Sequence, residues 1–315
     1  MSKMCETTPK VSVCVVTYDQ ENYIRQCLQS LVEQETDFLF EIIVSDDCST
    51  DGTRTIVQDF ATKYPGVVKP IFNKNNIGAF KNFLLVHENA TGEYIAHMDG
   101  DDYALPGKLQ QQADFLDEHE DCTVVFHVMK IVDGISNDFL GCTEKQPILF
   151  DVNHLIQNCN PVAHSSKMYR KSAVITKWSE KPIIDFYMNV EHAISGKVGF
   201  IDTALGVYRW QVGITADKNY DRMEKYNNDV FDRAIELGVD PEVVNEGRRK
   251  LNNMLAINYF IDGDDIRFKK YISINKQNLT LVNIKNYVFY MFRNNAGLLR
   301  KLLRVKSHIC GNKNI

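Results

Sequence analysis

The sequence lacks any run of the ~18 uninterrupted apolar residues that would span a bilayer as a helix. Its opening residues, MSKMCETTPK, also lack the apolar centre of a signal peptide. Both absences make a cytoplasmic location the expectation. The eight cysteines include no CxxC pair. Several fall inside apolar strand or helix patterns, which predicts buried free thiols rather than disulfides or a zinc site. Glycine is missing from the loop after the first predicted strand, Tyr18-Asp19-Gln20-Glu21-Asn22, so the turn that cradles the phosphates of a dinucleotide is missing too and NAD binding there is excluded. No low-complexity tract or internal repeat occurs, and 44% hydrophobic with 24% charged residues is an ordinary globular composition. No acidic residue follows Asp265, whereas eleven Lys or Arg do. The net charge of -5 therefore divides into -16 over residues 1–265 and +11 over the last fifty. A uniformly basic chain would point to nucleic acid. A basic end on an acidic body points instead to an anionic surface met by that end alone.

At 315 residues the chain can hold one large domain and a smaller one. Val11–Thr17 (VSVCVVT) is a β-branched run of strand length, followed at helical spacing by Tyr23, Ile24, Cys27, Leu28, Leu31 and Val32. Glu41–Ser45 is the next strand. Ser49, Thr50 and Asp51 then offer N-caps to a helix with Ile56, Val57, Phe60 and Tyr64 on one face. Further strands are predicted at Val67–Phe72, Tyr94–Met98, Thr123–Val128, Lys167–Tyr169 and Val198–Asp202, with helices over 79–89 and 106–119. This alternation implies an α/β fold, a doubly wound and mainly parallel sheet with helices on both faces, over residues 1–215. From 216 to 315 the pattern is helical, clearest at Tyr220–Leu237 and Pro241–Ile261.

Ligands of such sheets sit beyond the carboxyl ends of the strands. Two acidic clusters fall there: Asp46-Asp47 after the second strand and Asp99-Gly100-Asp101-Asp102 after the fourth. Five carboxylates at one sheet edge repel one another unless cations or hydrogen-bond donors balance them, and a hard divalent ion, Mg2+ or Mn2+, is the economical answer.

Seven blocks in order resemble the inverting family 2 glycosyltransferases of the GT-A fold, among them enzymes of bacterial surface-polysaccharide synthesis. They are Val11–Tyr18, Glu41–Thr53, Asn76–Gly78 with Lys81-Asn82, Gly92–Tyr103, Lys108–Gln112, Gly196–Asp202 and Val207–Arg209. The resemblance implies that Thr17, Tyr18 and Asp19 border the base of a nucleotide-sugar donor, and that Asp46 or Asp47 accepts its imide N–H, which favours UDP or dTDP. It places Lys81, Asn82, Gly100 and Arg209 in the donor site. Asp99 and Asp101 match the family's Asp-x-Asp and would hold the metal against the diphosphate, with Asp102 close by. Inversion needs a base to take the proton of the acceptor hydroxyl. Asp185, eleven residues before Gly196, matches the aspartate of the family's Glu-Asp pair, with Ile184 in the glutamate's place. Gln211 stands where many relatives have a metal-binding histidine, and His97 and His164 read as structural or acceptor-side. The acceptor implied is a glycan or lipid-linked hydroxyl. Rival readings are a sugar-nucleotide or glycan binder without catalysis on the same fold, and a metal-dependent phosphoryl-transfer domain. In the tail, Val288, Met291, Phe292, Leu298, Leu299, Leu302 and Leu303 alternate with Arg293, Arg300 and Arg304. A basic amphipathic helix of this kind can lie on an anionic membrane at the inner face of the cell, or pack on the protein.

Overall fold

The computed structural model describes residues 8–173, 185–213, 219–274 and 284–300. The chain separates into two compact units: one runs to Leu155 and resumes over Asn160–Lys218, and the other joins Ile156–Cys159 to the residues from Asn219 onward.

In the first unit the elements are β1 (Val11–Thr17), α1 (Ile24–Val32), β2 (Phe40–Asp46), α2 (Thr53–Lys63), β3 (Val68–Phe72), α3 (Ala79–Glu88), β4 (Tyr94–Asp99), β5 (Tyr103–Ala104), α4 (Lys108–Glu118), β6 (Cys122–Asp133), β7 (Phe139–Cys142), β8 (Leu149–Phe150), α5 (Val152–Gln157, which runs on into the second unit), β9 (Met168–Arg170), α6 (Asp185–Ala193) and β10 (Lys197–Trp210). They build one sheet in the order β3-β2-β1-β4-β9-β6-β10-β5, with β7 on β6 and β8 on β10. β1 is parallel to β2 and β4, β2 to β3, and β6 to β10, while β9 lies antiparallel between β4 and β6. The unbroken apolar run of β1 fits a strand covered on both faces. Val13 and Val15 pack with Ile42, Val44, Ala96 and Met98 of neighbouring strands and with Ile24, Leu28 and Leu31 of α1, all buried. Each such side chain contributes about 1.5–3 kcal/mol by leaving water.

Two strands extend well past their predicted ends. β6 runs to Asp133 and β10 to Trp210, paired in parallel along their length, with register shifts between Ile201 and Ala204 and again before Gly206. The bulges absorb Asp202-Thr203 and Leu205, which interrupt the alternation on which a sequence reading depends. The short β5, β7 and β8 are too brief to leave a periodic signal. α2 starts at Thr53, and none of Ser49, Thr50 or Asp51 is its N-cap residue; the Asp51 carboxylate still accepts the Thr53 N–H at 2.9 Å.

The second unit holds α7 (Tyr220–Glu236), α8 (Pro241–Asp262), α9 (Asp265–Ile274) and α10 (Ile284–Met291). Asn219 caps α7, Asp240 caps α8 with Pro241 in its first turn, and Gly263 ends α8 at φ 85°. Phe289 packs against Phe260 and Phe268, and Ala296 and Leu299 are buried. The Arg300 guanidinium donates to Phe260 O and pairs with Asp265. Arg300, read as a membrane-facing charge, is thus held within its own unit. Leu302, Leu303 and Arg304 lie outside the described residues, as does Ile184. No helix among the described residues is long and apolar enough to cross a membrane.

Candidate active site

Register brings the site together. Thr17 lies opposite Asp46, and Val16 opposite Asp99, so the carboxyl ends of β1, β2 and β4 finish at one edge. The loops after β1 and β2 are laced side by side. Asp19 N–H donates to Ser49 Oγ at 2.9 Å, its carboxylate accepts the Thr50 N–H at 2.7 Å, and Glu21 accepts the Gly52 N–H at 2.7 Å. Asp19 and Cys48 both take positive φ, 48° and 64°, an arrangement that persists only when surrounding contacts over-determine it. Thr17 is buried with its hydroxyl on Gln20, while Tyr18 is 45% exposed at the edge.

Several residues assigned to the donor face inward instead. Asp46 accepts the Ser49 N–H and pairs with Arg54 at 2.8 Å. Asp47 accepts from Asn73 Nδ2 and from the N–H groups of Ile77 and Gly78 at 2.8 and 2.9 Å. Asn82 is a buried strut: its Oδ1 accepts from Ser45 Oγ and Asn73, and its Nδ2 donates to Ser45 O. These groups shape the loops because their hydrogen bonds are already made with protein. Lys81, one residue earlier on α3, is exposed.

Gly100 must be glycine, since a Cβ there would meet Val16 O at 2.9 Å and Thr17 Cβ at 3.0 Å. The three aspartates around it face different partners. Asp99 accepts from His97 Nε2 at 3.1 Å and from Ser165 Oγ at 3.2 Å. Burial opposes its charge, but His97, Ser165 and Lys167 outweigh burial and hold its carboxyl below the ordinary value. Asp101 is pushed up to about 7 by burial and by Asp99. Asp102 is almost wholly buried and accepts the Arg209 N–H at 3.0 Å, which secures β10; the cluster of possible metal ligands among the described residues is His97, Asp99 and His164. Arg209 is likewise turned inward, between the rings of Tyr23 and Tyr103, donating to Asp101 O and Gln26.

Two buried lysines that sequence reasoning passed over lie beside these carboxylates. Lys108 is fully buried, donating to His127 Nε2 at 2.8 Å and Ser165 O at 3.0 Å, and burial brings it down to about 7, offset in part by Asp102. Lys167, also fully buried, acts on both Asp99 and Asp185. Lys108 lies in one of the matching blocks and Lys167 in a predicted strand, but only tertiary structure shows that each is buried within the influence of an aspartate. Asp185 opens α6, with Oδ1 accepting the Phe186 N–H at 2.9 Å and Oδ2 accepting from Asn160 at 3.3 Å. Burial raises its carboxyl above the ordinary range, offset in part by Lys167.

Behind Asp99 runs a line of neutral imidazoles. Tyr169 OH lies 2.8 Å from His87 Nδ1, and His87 Nε2 lies 3.0 Å from His97 Nδ1. An ionised Asp99 only accepts, so the donors point from Tyr169 through His87 and His97 to Asp99. Ligand atoms of His97, Asp99 and His164 lie within 4.8 Å of one another. His164 Nδ1 is buried with no hydrogen-bond partner. With the donors pointing toward Asp99, His97 Nε2–H is committed to that carboxylate; with the donors reversed toward Tyr169, Nε2 would present its lone pair, and His97, Asp99 and His164 would then fit a divalent cation, their nitrogens suiting Mn2+ better than Mg2+. Gln211 ends β10 exposed, at φ 63°.

An uncharacterised protein of Mycobacterium tuberculosis is 34% identical over 207 residues, 63% of this chain and 58% of that protein, so the chain spans less than two-thirds of that relative's length. Staphylococcus aureus TarS, residues 1–349 in complex with UDP-GlcNAc, superposes with a TM-score of 0.61 at 22% identity, covering 89% of this chain and 78% of that one. The mannosyltransferase PcManGT of Pyrobaculum calidifontis, in complex with GDP-Man and Mn2+, superposes at 0.57 with 15% identity, covering 94% and 87%. The model of the family described as Glycosyl transferase family 2 matches residues 12–176, more than half of the chain, and the chain belongs to that family.

Proposed function

We propose that the protein moves a sugar, with inversion, from a UDP- or dTDP-linked donor to a hydroxyl of a glycan or lipid-linked acceptor. The observation carrying this reading is the convergence of Asp99 and Asp185 on the single buried ammonium of Lys167, at the sheet edge where Tyr18 stands exposed. One carboxylate then faces the donor diphosphate and the other the acceptor. Tyr18 offers its ring to the base, and Lys81 is placed to meet the phosphates. Asp99 and Asp101, with His97 and His164 beside them, would hold Mn2+ or Mg2+, which would offset the charge gained by the leaving diphosphate. Asp185 takes the acceptor proton as the acceptor oxygen attacks the anomeric carbon. The bond from that carbon to the diphosphate oxygen breaks on the opposite face, and its electron pair leaves with the nucleotide. The TarS complex with UDP-GlcNAc supports a uridine donor, and TarS itself is named a poly(ribitol-phosphate) β-N-acetylglucosaminyltransferase, a polymer-modifying activity.

The finer reading adds a peripheral position on an anionic membrane through the basic end of the chain. A thermal-shift panel of UDP-, dTDP- and GDP-sugars with and without Mn2+ tests the donor and metal together, since selective binding to the folded state raises the midpoint by mass action. Stabilisation by UDP or dTDP that requires the ion, and that Asp101→Asn removes, is the expected result. Binding without release of nucleotide in any acceptor mixture would leave a sugar-nucleotide binder, and indifference to all three donors would sink both.

A further inference from the structure

Four buried or partly buried polar side chains form one directional line behind the candidate base. Lys167 Nζ donates to Asn189 Oδ1 at 3.3 Å, Asn189 Nδ2 donates to Asn160 Oδ1 at 2.8 Å, and Asn160 Nδ2 donates to Asp185 Oδ2 at 3.3 Å. The two ends fix the direction, because an ammonium can only donate and an ionised carboxylate can only accept. Turning the Asn189 amide over would set its NH2 against the ammonium. Turning Asn160 over would set a carbonyl against the carboxylate. Asn189 and Lys167 are both fully buried, so water cannot replace a lost partner without rearrangement. Asn160 adopts φ 59°, a left-handed conformation that asparagine tolerates better than most residues and that here aims its amide at Asp185.

We propose that Asn160, Asn189 and Lys167 are positioning residues that hold the Asp185 carboxylate in one orientation and favour its ionised form. The inference rests on the reading of Asp185 as the base. A carboxylate has about four acceptor sites. Asn160 takes one on Oδ2 and the Phe186 N–H one on Oδ1, which leaves a site on each oxygen for the incoming hydroxyl. Burial brings Lys167 down to about 8, so it remains mainly a cation at neutral pH. Among the described residues, the other charged or titratable groups acting on this line are Asp99, which repels Asp185, and His87, His97, His164 and His192, which burial keeps neutral. None of these replaces the donor that Asn160 supplies. Every donor in the line stabilises the charged carboxylate, so removing one makes Asp185 harder to ionise.

The test follows the carboxyl carbon of Asp185 by carbon-13 NMR in the full chain with labelled aspartate, assigned by its loss in Asp185→Asn. Asn160→Gly removes the amide while accepting the positive φ, and Asn189→Leu interrupts the line at similar size; UDP binding by calorimetry confirms that each variant is folded. The titration midpoint of Asp185 is expected to rise by about one unit in both variants. Nucleotide release from the donor selected by the thermal-shift panel should fall most at acidic pH and recover as pH rises, its pH profile moving with the Asp185 midpoint. An unshifted midpoint in both variants overturns the line as a positioning device and leaves the base in place. Wild-type turnover by Asp185→Asn overturns the reading of the base itself, whatever the midpoints show.

Discussion

Lys108 and Lys167 have no solvent contact, and each is attracted by aspartates at the sheet edge, Lys108 by Asp102 and Lys167 by Asp99 and Asp185. Lys167, brought down to about 8, offsets part of the repulsion that the sequence alone assigned to a metal. Arg54 does the same for Asp46. A bound cation would have the narrower task of relieving Asp101 and meeting the orphaned His164 Nδ1. His164→Ala should accordingly weaken Mn2+ binding tenfold or more in calorimetry with the metal alone, while Mg2+, which prefers oxygen, changes less. Equal Mn2+ affinity in the variant would remove His164 from the site. As base, Asp185 should matter to the chemical step more than to donor binding. Asp185→Asn is expected to slow turnover by a factor on the order of 100 with nucleotide affinity little changed. Legibility at this scale was uneven. Asp99, Asp185, Asn82, Asp102 and Arg209 all match motifs by residue type, but the sequence could not show that Asn82 bonds to Ser45, Asp102 to the Arg209 backbone and Arg209 to Asp101. Residue type reveals capacity for a hydrogen bond, and only the fold reveals the partner.

At the scale of elements, the sheet is tied at the end remote from the site by Glu41 of β2. Its carboxylate accepts from Ser12 of β1 at 2.5 Å, from Lys69 of β3 at 2.6 Å, and from the N–H and hydroxyl of Thr91 just before β4. Burial opposes its charge, but these donors bring it down from 4.5 to about 2. A carboxyl lower in the folded than in the unfolded state stabilises above its unfolded value and loses that contribution as pH falls through the folded one. Stability should therefore drop between pH 4.5 and 2 by on the order of 2–3 kcal/mol more in wild type than in Glu41→Gln, read from urea midpoints at each pH. Parallel losses in the two proteins would show that Glu41 is not the group responsible. Gly92, in the same junction, has no room for a side chain: a Cβ would meet Ser12 N at 2.6 Å and Val11 C at 2.8 Å. Gly92→Ala is expected to cost about 1–3 kcal/mol in the same measurement. The long central strands and helices were legible because apolar periodicity persists over a whole element. The second half of β10 was not, because bulges at Asp202-Thr203 and Leu205 break the alternation while pairing with β6 continues.

Across the whole molecule, charge is the property that neither the fold nor the active site accounts for. The last fifty residues carry +11 on a body of -16. Part of that excess is already used within the second unit: Arg300 pairs with Asp265, Arg267 pairs with Asp221 and Asp264, and Arg293 lies over Tyr290 at 3.9 Å. Of the apolar residues expected on a membrane-facing side, Leu299 is buried, whereas Val288, Met291 and Leu298 are exposed. The membrane reading therefore falls to the cations after Arg300, namely Lys301, Arg304, Lys306 and Lys313, beside Leu302 and Leu303. Each basic residue near an anionic surface contributes about 1 kcal/mol, screened within a Debye length of about 8 Å at physiological salt. Co-sedimentation with phosphatidylglycerol vesicles should be strong at low salt, decline as salt rises, and fall sharply for a chain ending at Arg300, which keeps the packed helices. Arg300→Glu should instead lower thermal stability by setting two carboxylates together, with little effect on sedimentation of the folded protein. If the shortened chain sediments as well as the full one, the basic end does not bring the enzyme to a lipid-linked acceptor.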